Sequence, residues 1–407
     1  MVDQRRFDDQ PIEWVGSEKA ANHLGISRRT LYAYVSRGLV RSVPGVGGRP
    51  RLYALADLDR LKARRDARAG HGAVAAGALR WGEPVLDSAI TAITPRGPAY
   101  RGRLAVDLAA AGARFEDVAE LLWSGFLPEA PVRWPRPSPP RLAGLLPGGA
   151  APLEVMALLV PLAGLADADR RDPRPDALVA QARRLIPLLA AALAPGYSAR
   201  ALGAGPVAAI ATRALGLAEP AVPTLETALI LLADHELNAS SFAARVAAST
   251  HADAYACVGA ALATVSGPLH GTASESVARF ADEVGGPERA PAAVRALRRQ
   301  GRTPPGFGHL LYPAGDPRAT PLLAIARGSG DRRARTLLAV VDAVAPDAMP
   351  TVDVGLAALV AALGLPPAAG SGLFAVARAA GWLAHVLEQR AAGYLLRPRA
   401  RYTGVPV

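Results

Sequence analysis

The chain has 407 residues and a single cysteine, Cys257. That excludes a disulfide framework and fits a reducing cytoplasm, where a lone thiol is more often a small core residue than a nucleophile. The opening MVDQRRFDDQPIEW lacks the apolar core of a secretory signal, so export is not expected. Long hydrophobic runs are scarce as well. The longest uncharged stretch, Val354 to Ala377, is cut by GLPP and AAGSG and reads as two packed core segments instead of one bilayer span. No repeat period of the solenoid kind is present. What remains is a soluble cytoplasmic chain with no membrane contact. It is 51% apolar, enough for a large core, and its length predicts two or three domains.

Acidic residues are outnumbered, and the net charge is +11. Charge alone is weak evidence for a nucleic-acid partner, because it is often spread over a solvated surface. Its distribution is more telling: the segment from Arg28 to Arg68 carries a net +8.

The same segment has a structural pattern. In GSEKAANHLGISRRTLYAYVSRGLV, Ser17 is expected to cap a short helix with Ala20, Ala21 and Leu24 inward. A tight turn follows at Gly25 and Ile26, and Ser27 caps a second helix with Leu31 and Val35 inward. After Gly38, VRSVPGVGGRPRLYA reads as two short strands around a glycine-rich turn, and Asp57 is expected to cap DLDRLKARR. Residues 14 to 65 resemble the winged helix-turn-helix of MerR-like and excisionase-like DNA-binding domains. The resemblance places Arg28, Arg29, Thr30 and Tyr32 on the recognition helix and Arg49 and Arg51 beside the wing, and it implies duplex DNA as a partner. His23 reads as a surface helix residue. The alternative is a small basic cap that packs on the rest of the chain.

The boundaries read as a winged helix-turn-helix over 1–68, a Gly-, Ala- and Arg-rich linker over 69–79 holding an exposed His71, and a second domain over 80–407. That domain should be almost entirely helical, with a short hairpin in VLDSAITAITPRGPAYRGR and a surface loop in WPRPSPPRLAGLLPGGAAP. Four polar clusters interrupt its apolar background: LLADHELNASSFAARV, SGPLHGTASES, GFGHLLYPAGDPR, and TVDVGLAALV with FAVARAAGWLAHVLEQ. Each sets a His, Asp or Arg beside small residues, where backbone can approach a ligand closely. Singly, each is an ordinary core histidine or helix cap.

Taken in order and with YRGRLAVDLAAAGARFEDVAELLWSGFLP before them and LLRPRARYTG after, residues 80 to 407 resemble a citrate synthase. The resemblance implies a mainly α fold of large and small helical domains, and an obligate homodimer whose sites are shared between subunits. It also implies an acyltransferase that condenses acetyl-CoA, or a close acyl-CoA, with oxaloacetate, using no metal and no cofactor beyond the CoA thioester. It assigns Asp353 as base, His270 as donor to the thioester oxygen and His309 as polariser of the oxaloacetate carbonyl. Oxaloacetate's carboxylates fall to Arg318, Arg378 and Arg397 (the last from the partner subunit), with His235 as a further donor. The chemistry suits these types. A very weak carbon acid needs a base together with hydrogen bonds to the developing enol oxygen, and two carboxylates call for planar two-pronged cations. His251 and His385 match no catalytic motif and read as surface or helix-face residues. Asp234, Glu236 and Asn238 read as supports of the His235 loop.

There are departures from the family pattern. GFGH commonly runs into Arg-Val-Tyr-Lys, whereas Leu310 and Pro313 stand where the two cations are expected. Thr351 replaces an Asn, Val354 an aromatic residue, and HGTASE the usual HGGANE, which reshapes the acyl pocket. Arg298, Arg299 and Arg302 are candidates to replace the lost phosphate contacts, or are a solvated basic turn. A second function stays open beside the enzyme: a DNA-binding transcriptional regulator that keeps the synthase fold as a metabolite sensor.

Overall fold

The computed structural model describes residues 14–36, 39–45, 50–55, 57–59, 61, 86–142, 144–194, 197, 201–345, 347–398 and 404. Gly38, Arg49, His71 and the expected linker over 69–79 lie outside these. The chain divides into two compact units, Met1–Asp87 and Ser88–Val407.

In the first unit, strand β1 (Trp14–Gly16) runs into α1 (Ser17–Leu24), followed by α2 (Arg28–Ser36), β2 (Ser42–Val43) and β3 (Leu52–Ala54). The strands form one antiparallel sheet in the order β1-β3-β2, with Tyr53 opposite both Val15 and Ser42. Ala20, Ala21, Leu24 and Leu31 are buried with Val15, Val40, Tyr53 and Leu58, so the inward face expected of the two helices is the one the core uses. Gly25 closes α1 in the left-handed region (φ 58°), where a residue without Cβ is least strained. The Ser27 hydroxyl accepts the Thr30 amide at 3.2 Å, as a cap should.

Two cap expectations need correction. Gly16 is the N-cap of α1 and Ser17 is already helical, because β1 runs directly into the helix. Asp57 lies within a helical stretch, and its buried carboxylate accepts the Arg41 amide (2.9 Å) and guanidinium (2.9 and 3.1 Å). It ties the wing to the helix.

The second unit opens with an antiparallel sheet of β4 (Thr91–Thr94), β5 (Gly97–Tyr100) and β6 (Arg103–Leu104), so the expected hairpin gains a third strand. Helices follow: α3 (Ala105–Ala110), α4 (Phe115–Ser124), α5 (Pro152–Ala166), α6 (Pro175–Ala191), α7 (Val207–Ala214), α8 (Val222–Leu232), α9 (Ala239–Ser249) and α10 (Ala254–Val265). Next come α11 (Ala273–Val284), α12 (Ala290–Arg299), α13 (Ala319–Arg327), α14 (Arg332–Val344), α15 (Val352–Ala362) and α16 (Ala368–Ala392). One large core joins helices α3 to α10 with α16, and takes in Leu322 of α13 and Val352, Leu356, Leu359 and Val360 of α15. A small separate core holds Val277 of α11, Leu323 of α13, Leu337 of α14 and Val354 of α15. This large-and-small division is the mainly helical architecture expected.

The long helix α16 is buried all round from Ala369 to Val386, and Ser371, Arg378 and His385 are the strongly polar residues there. Polar groups at such depth need partners: Ser371 donates to Glu275 of α11, and Arg378 and His385 find theirs at the end of α8 and in the loop after it. The Gly381 amide of α16 donates to Ala233 O at 3.1 Å, and a Cβ at Gly381 would stand 2.3 Å from an Asp234 carboxylate oxygen. Only glycine lets helix and loop meet this closely.

Candidate active site

The loop between α8 and α9 carries His235 and is pinned at several points. The Tyr100 hydroxyl lies 3.0 and 3.2 Å from the carbonyls of Ile230 and Asp234, and Arg378 Nε donates to Leu232 O at 2.9 Å. Asn238 ends the loop by capping α9, accepting the amides of Ser240 and Ser241. His235 is thereby buried at 8% exposure, with Nε2 2.9 Å from the Tyr312 hydroxyl.

His309 stands edge-on to His235 with ring centroids 5.6 Å apart, and its Nδ1 accepts the Leu311 amide at 3.1 Å. The flanking glycines serve the fold in ways their sequence context does not reveal. Gly306 and Gly308 both have φ above 80°. A Cβ on Gly306 would stand 2.6 Å from Val354 and 2.7 Å from Val277, whereas Gly308 has open space. The first is needed for packing and the second for backbone conformation.

Arg318 is 2% exposed and makes a fork on Asp316, with Nε 3.0 Å and Nη2 2.7 Å from its carboxylate oxygens. Its Nη1 is buried without a hydrogen-bond partner among the described residues. Burial disfavours the Arg318 cation, but the Asp316 carboxylate outweighs that and holds it charged. Arg378, also 2% exposed, lies over the Phe374 ring at 4.5 Å, and burial with the Arg318 charge brings its pKa down to about 10. Two cations at this depth are balanced by Asp316 and Asp234.

Asp353 stands in the first turn of α15. Burial raises its carboxyl above the ordinary range, against the pull of a hydrogen bond from Thr351 Oγ1 at 3.0 Å to Oδ2. His270 Nε2 is 2.8 Å from Ser240 Oγ, which also accepts the indole N–H of Trp382 at 3.0 Å. Burial, assisted by the Arg378 charge, brings His270 down to about 4. His235 is held well below its usual value by burial and by Arg318 and Arg378, and burial also lowers His309. Near neutral pH the site therefore holds three neutral imidazoles, two guanidinium groups and a carboxyl of raised basicity. Arg378 acts electrostatically on His235, His270 and Asp353 alike, so these groups share one neighbourhood. A dianionic keto acid fits the cations, and a weakly acidic carbon fits the base.

A family model described as the C-terminal domain of citrate synthase matches residues 78–399, and one described as a helix-turn-helix domain matches residues 14–66. The chain belongs to the citrate synthase family. Citrate synthase 2 of Bacillus subtilis (strain 168) is 40% identical over 190 residues, 45% of this chain and 51% of that protein, so the match spans about half of that relative's length. A citrate synthase of Mycolicibacterium smegmatis is 30% identical over 335 residues, 75% of this chain and 89% of that one. A 2-methylcitrate synthase of Mycobacterium tuberculosis (strain ATCC 35801 / TMC 107 / Erdman) is 31% identical over 356 residues, 79% of this chain and 89% of that one. Among solved structures, citrate synthase from Thermotoga maritima MSB8 has a TM-score of 0.66 at 28% identity, covering 80% of this chain and 94% of that one. The ternary complex of carboxymethyl coenzyme A and oxaloacetate with citrate synthase from Thermoplasma acidophilum has a TM-score of 0.65 at 23% identity, covering 80% and 95%, a likeness of fold alone.

Several residues of this citrate synthase family member stand outside the constellation. Arg397 is exposed in the segment after α16 and makes no hydrogen bond or ion pair among the described residues. Arg298 is already occupied: its Nη2 donates to the carbonyls of Ala343 (3.1 Å) and Val344 (2.9 Å) at the end of α14 and pairs with Asp347 at 2.7 Å. Arg299 is exposed, and exposed Arg302 reaches only Gln300, at 3.4 Å, among the described residues. Leu310, in the place of an expected cation, is 71% exposed.

His385 requires a correction. It is wholly buried, with Nε2 3.4 Å from Asp234 Oδ1 and Nδ1 3.4 Å from an Arg245 guanidinium nitrogen. The signal was its position two helical turns after Arg378, on the same face of α16. His251 is exposed, as expected. Tyr312, Asp316 and Ser240 carry no sequence signal of their own, because each acts by holding another residue.

In the first unit, Arg28 and Arg29 are exposed in the first turn of α2, and Tyr32 follows one turn later at 53% exposure. Arg28 Nη2 lies 3.4 Å from Glu18, and Thr30 Oγ1 2.9 Å from Ser27 Oγ. Arg51 Nε donates to Ser42 Oγ at 3.2 Å across the wing strands. His23, half-buried, meets Asp59 at 2.7 Å.

Proposed function

We propose that the chain condenses an acyl-CoA, acetyl-CoA or a close homologue, with oxaloacetate, giving citrate or its homologue and free CoA. The observation that carries this reading is the buried Arg318, whose Nη1 has no partner among the described residues and which accompanies a second buried guanidinium, three neutral imidazoles and a raised carboxyl. Arg318 and Arg378 take the two carboxylates of oxaloacetate, with Arg397 added from a second copy in a homodimer. His235 and His309 then face the keto acid, and His309 polarises its carbonyl. Asp353 removes a proton from the acyl carbon alpha to the thioester. His270 Nε2 is engaged by Ser240 Oγ, so Nδ1 is the ring nitrogen left to face the developing enol oxygen. The new carbon–carbon bond forms to the keto carbon as the carbonyl electron pair moves onto its oxygen, which takes a proton from His309 Nε2. Water then cleaves the thioester and releases the CoA thiol. Arg299 and Arg302 are the arginines of the α12 turn left to meet the CoA phosphates.

The helix-turn-helix unit supports a second activity, binding of duplex DNA through Arg28, Arg29, Thr30, Tyr32 and Arg51, together with Arg49 as the resemblance implies. We place the protein in the cytoplasm, consistent with one buried thiol; no helix among the described residues is long and apolar enough to cross a membrane. A thiol-release assay with acetyl-CoA and propionyl-CoA, each with and without oxaloacetate, tests the reaction. CoA release that does not depend on oxaloacetate, or none at all, removes the condensation and leaves the metabolite-sensing regulator.

A further inference from the structure

The hydroxyl of Tyr312 stands among the residues assigned to oxaloacetate without being one of them. It lies 2.9 Å from His235 Nε2, its ring centroid is 5.2 Å from that of His309, and the Arg318 guanidinium carbon lies 5.9 Å above its ring. Its backbone is locked to His309 by an antiparallel bridge and an amide bond to His309 O at 3.0 Å. We infer that Tyr312 is a positioning residue: its hydroxyl donates to His235 Nε2 and thereby fixes the imidazole with its proton on Nδ1, so that Nδ1–H is the donor this ring offers the keto acid. The inference rests on the proposed oxaloacetate site.

The direction of the bond follows from what each group can do elsewhere. Tyr312 is 3% exposed, and among the described residues its hydroxyl meets His235 and no other acceptor. A proton on Nε2 would leave the phenol proton buried without an acceptor, a loss no other contact repairs. Donation from Tyr312 places a good donor on the best acceptor of a neutral imidazole. The alternatives that reverse the bond are disfavoured by depth. Burial pushes the Tyr312 hydroxyl up, away from phenolate, and burial with Arg318 and Arg378 pushes His235 well below its usual value, away from imidazolium. His235 Nδ1 makes no hydrogen bond to any described residue, which leaves it for a ligand.

His309 carries the opposite arrangement. Its Nδ1 accepts the Leu311 amide at 3.1 Å, so its proton sits on Nε2. One short segment, His309 to Tyr312, therefore sets the protonation pattern of both rings: a backbone amide for one and a side-chain hydroxyl for the other.

The test is nitrogen-15 NMR on the full-length protein labelled at histidine, with oxaloacetate kinetics on the same preparations. In the wild type, His235, assigned by His235→Asn, should show a protonated Nδ1 and an unprotonated Nε2. Tyr312→Phe removes one oxygen and should shift the ring toward the Nε2–H form. It should raise the oxaloacetate KM by about tenfold while kcat changes by less than about twofold. A role in packing alone would not move the ring-nitrogen shifts. Side-chain amides give a second reading: His235→Asn, which sets its amide near Nδ1, should bind oxaloacetate more tightly than His235→Gln, which sets it near Nε2. An Nε2–H form in the wild type, unchanged shifts and KM in Tyr312→Phe, or tighter binding by the Gln variant overturns the inference. Should the wild type show no oxaloacetate-dependent CoA release, the proposed reaction falls, and the ring-nitrogen shifts alone decide the role of Tyr312.

Discussion

Arg318 and Asp316, two residues apart in the GDPR turn, form a forked ion pair at 3.0 and 2.7 Å with both side chains essentially out of solvent. The carboxylate also holds the backbone, since its Oδ2 accepts the Val352 amide at 3.2 Å, at the start of the helix that carries Asp353. One buried group thus aims Arg318 and anchors the helix that carries Asp353.

Asp316→Asn should cost about 3–5 kcal/mol, because it leaves a buried guanidinium uncompensated. The pH dependence has a definite sign. Burial raises the Asp316 carboxyl, but Arg318 outweighs it, so the folded pKa lies below the unfolded value of about 3.9. The stabilisation is complete above that value and is lost as pH falls through the folded pKa. Thermal midpoints from pH 7 to pH 2 should show an acid decline that is blunted in the variant. Equal slopes for the two proteins would remove Asp316 as the source.

Asp353→Ala should lower kcat by about 10²- to 10⁴-fold while leaving oxaloacetate binding in place, since the base acts only on the way to the transition state. The acid limb of kcat/KM should lie above the ordinary aspartate value, because burial raises this carboxyl and the base works only when ionised. Thr351→Ala removes the hydrogen bond that favours the carboxylate, so the limb should move to higher pH. Movement to lower pH, or none, would take Thr351 out of the site's electrostatics.

For the coenzyme, Leu310→Arg should lower the acyl-CoA KM. Leu310 is 71% exposed, so the change disturbs no packing. Arg302→Ala should raise that KM, whereas Arg298→Ala should mainly lower the melting temperature, because Arg298 caps the carbonyls at the end of α14. A KM raised by Arg298→Ala alone, with stability intact, would reverse the assignment.

Much of this was legible in the chain, for identifiable physical reasons. Ala20, Ala21, Leu24 and Leu31 recur at helical spacing, and the inward face of a helix depends on neighbours three and four residues away. Strand β1 was not legible, because Trp14–Gly16 finds its partner in Leu52–Ala54, a pairing that no local period records. The same divide runs through the site. His235, His270, His309 and Arg318 sit beside glycines or small polar residues that break an apolar helical background. Tyr312, Asp316 and Ser240 act through residues distant in sequence or by geometry, and only the fold makes those contacts. His385 escapes a sequence reading because a histidine in an apolar helix is unremarkable until Asp234 and Arg245 are seen against it.

In the first unit, Arg28 and Arg29 project from the start of α2 and Tyr32 follows on the exposed face. Phosphate contacts release counterions, so the slope of log affinity against log salt should scale at about 0.9 per contact. Changing Arg28 and Arg29 to Ala should weaken binding to duplex DNA and flatten that slope, without altering CoA release, since the two jobs lie in separate units. Glu18 offers the opposite change. Its carboxylate pairs with Arg28 at 3.4 Å and sets a negative charge beside that cation. Glu18→Ala should therefore tighten DNA binding modestly and leave the helix intact, because both side chains are exposed and the pair contributes little to stability. Fluorescence titration of full-length protein with mixed-sequence and genomic duplexes across a salt series measures all three effects. Absence of binding at low salt would assign the unit to protein docking, and weaker binding by the Glu18 variant would mean that α2 does not meet the phosphates through Arg28.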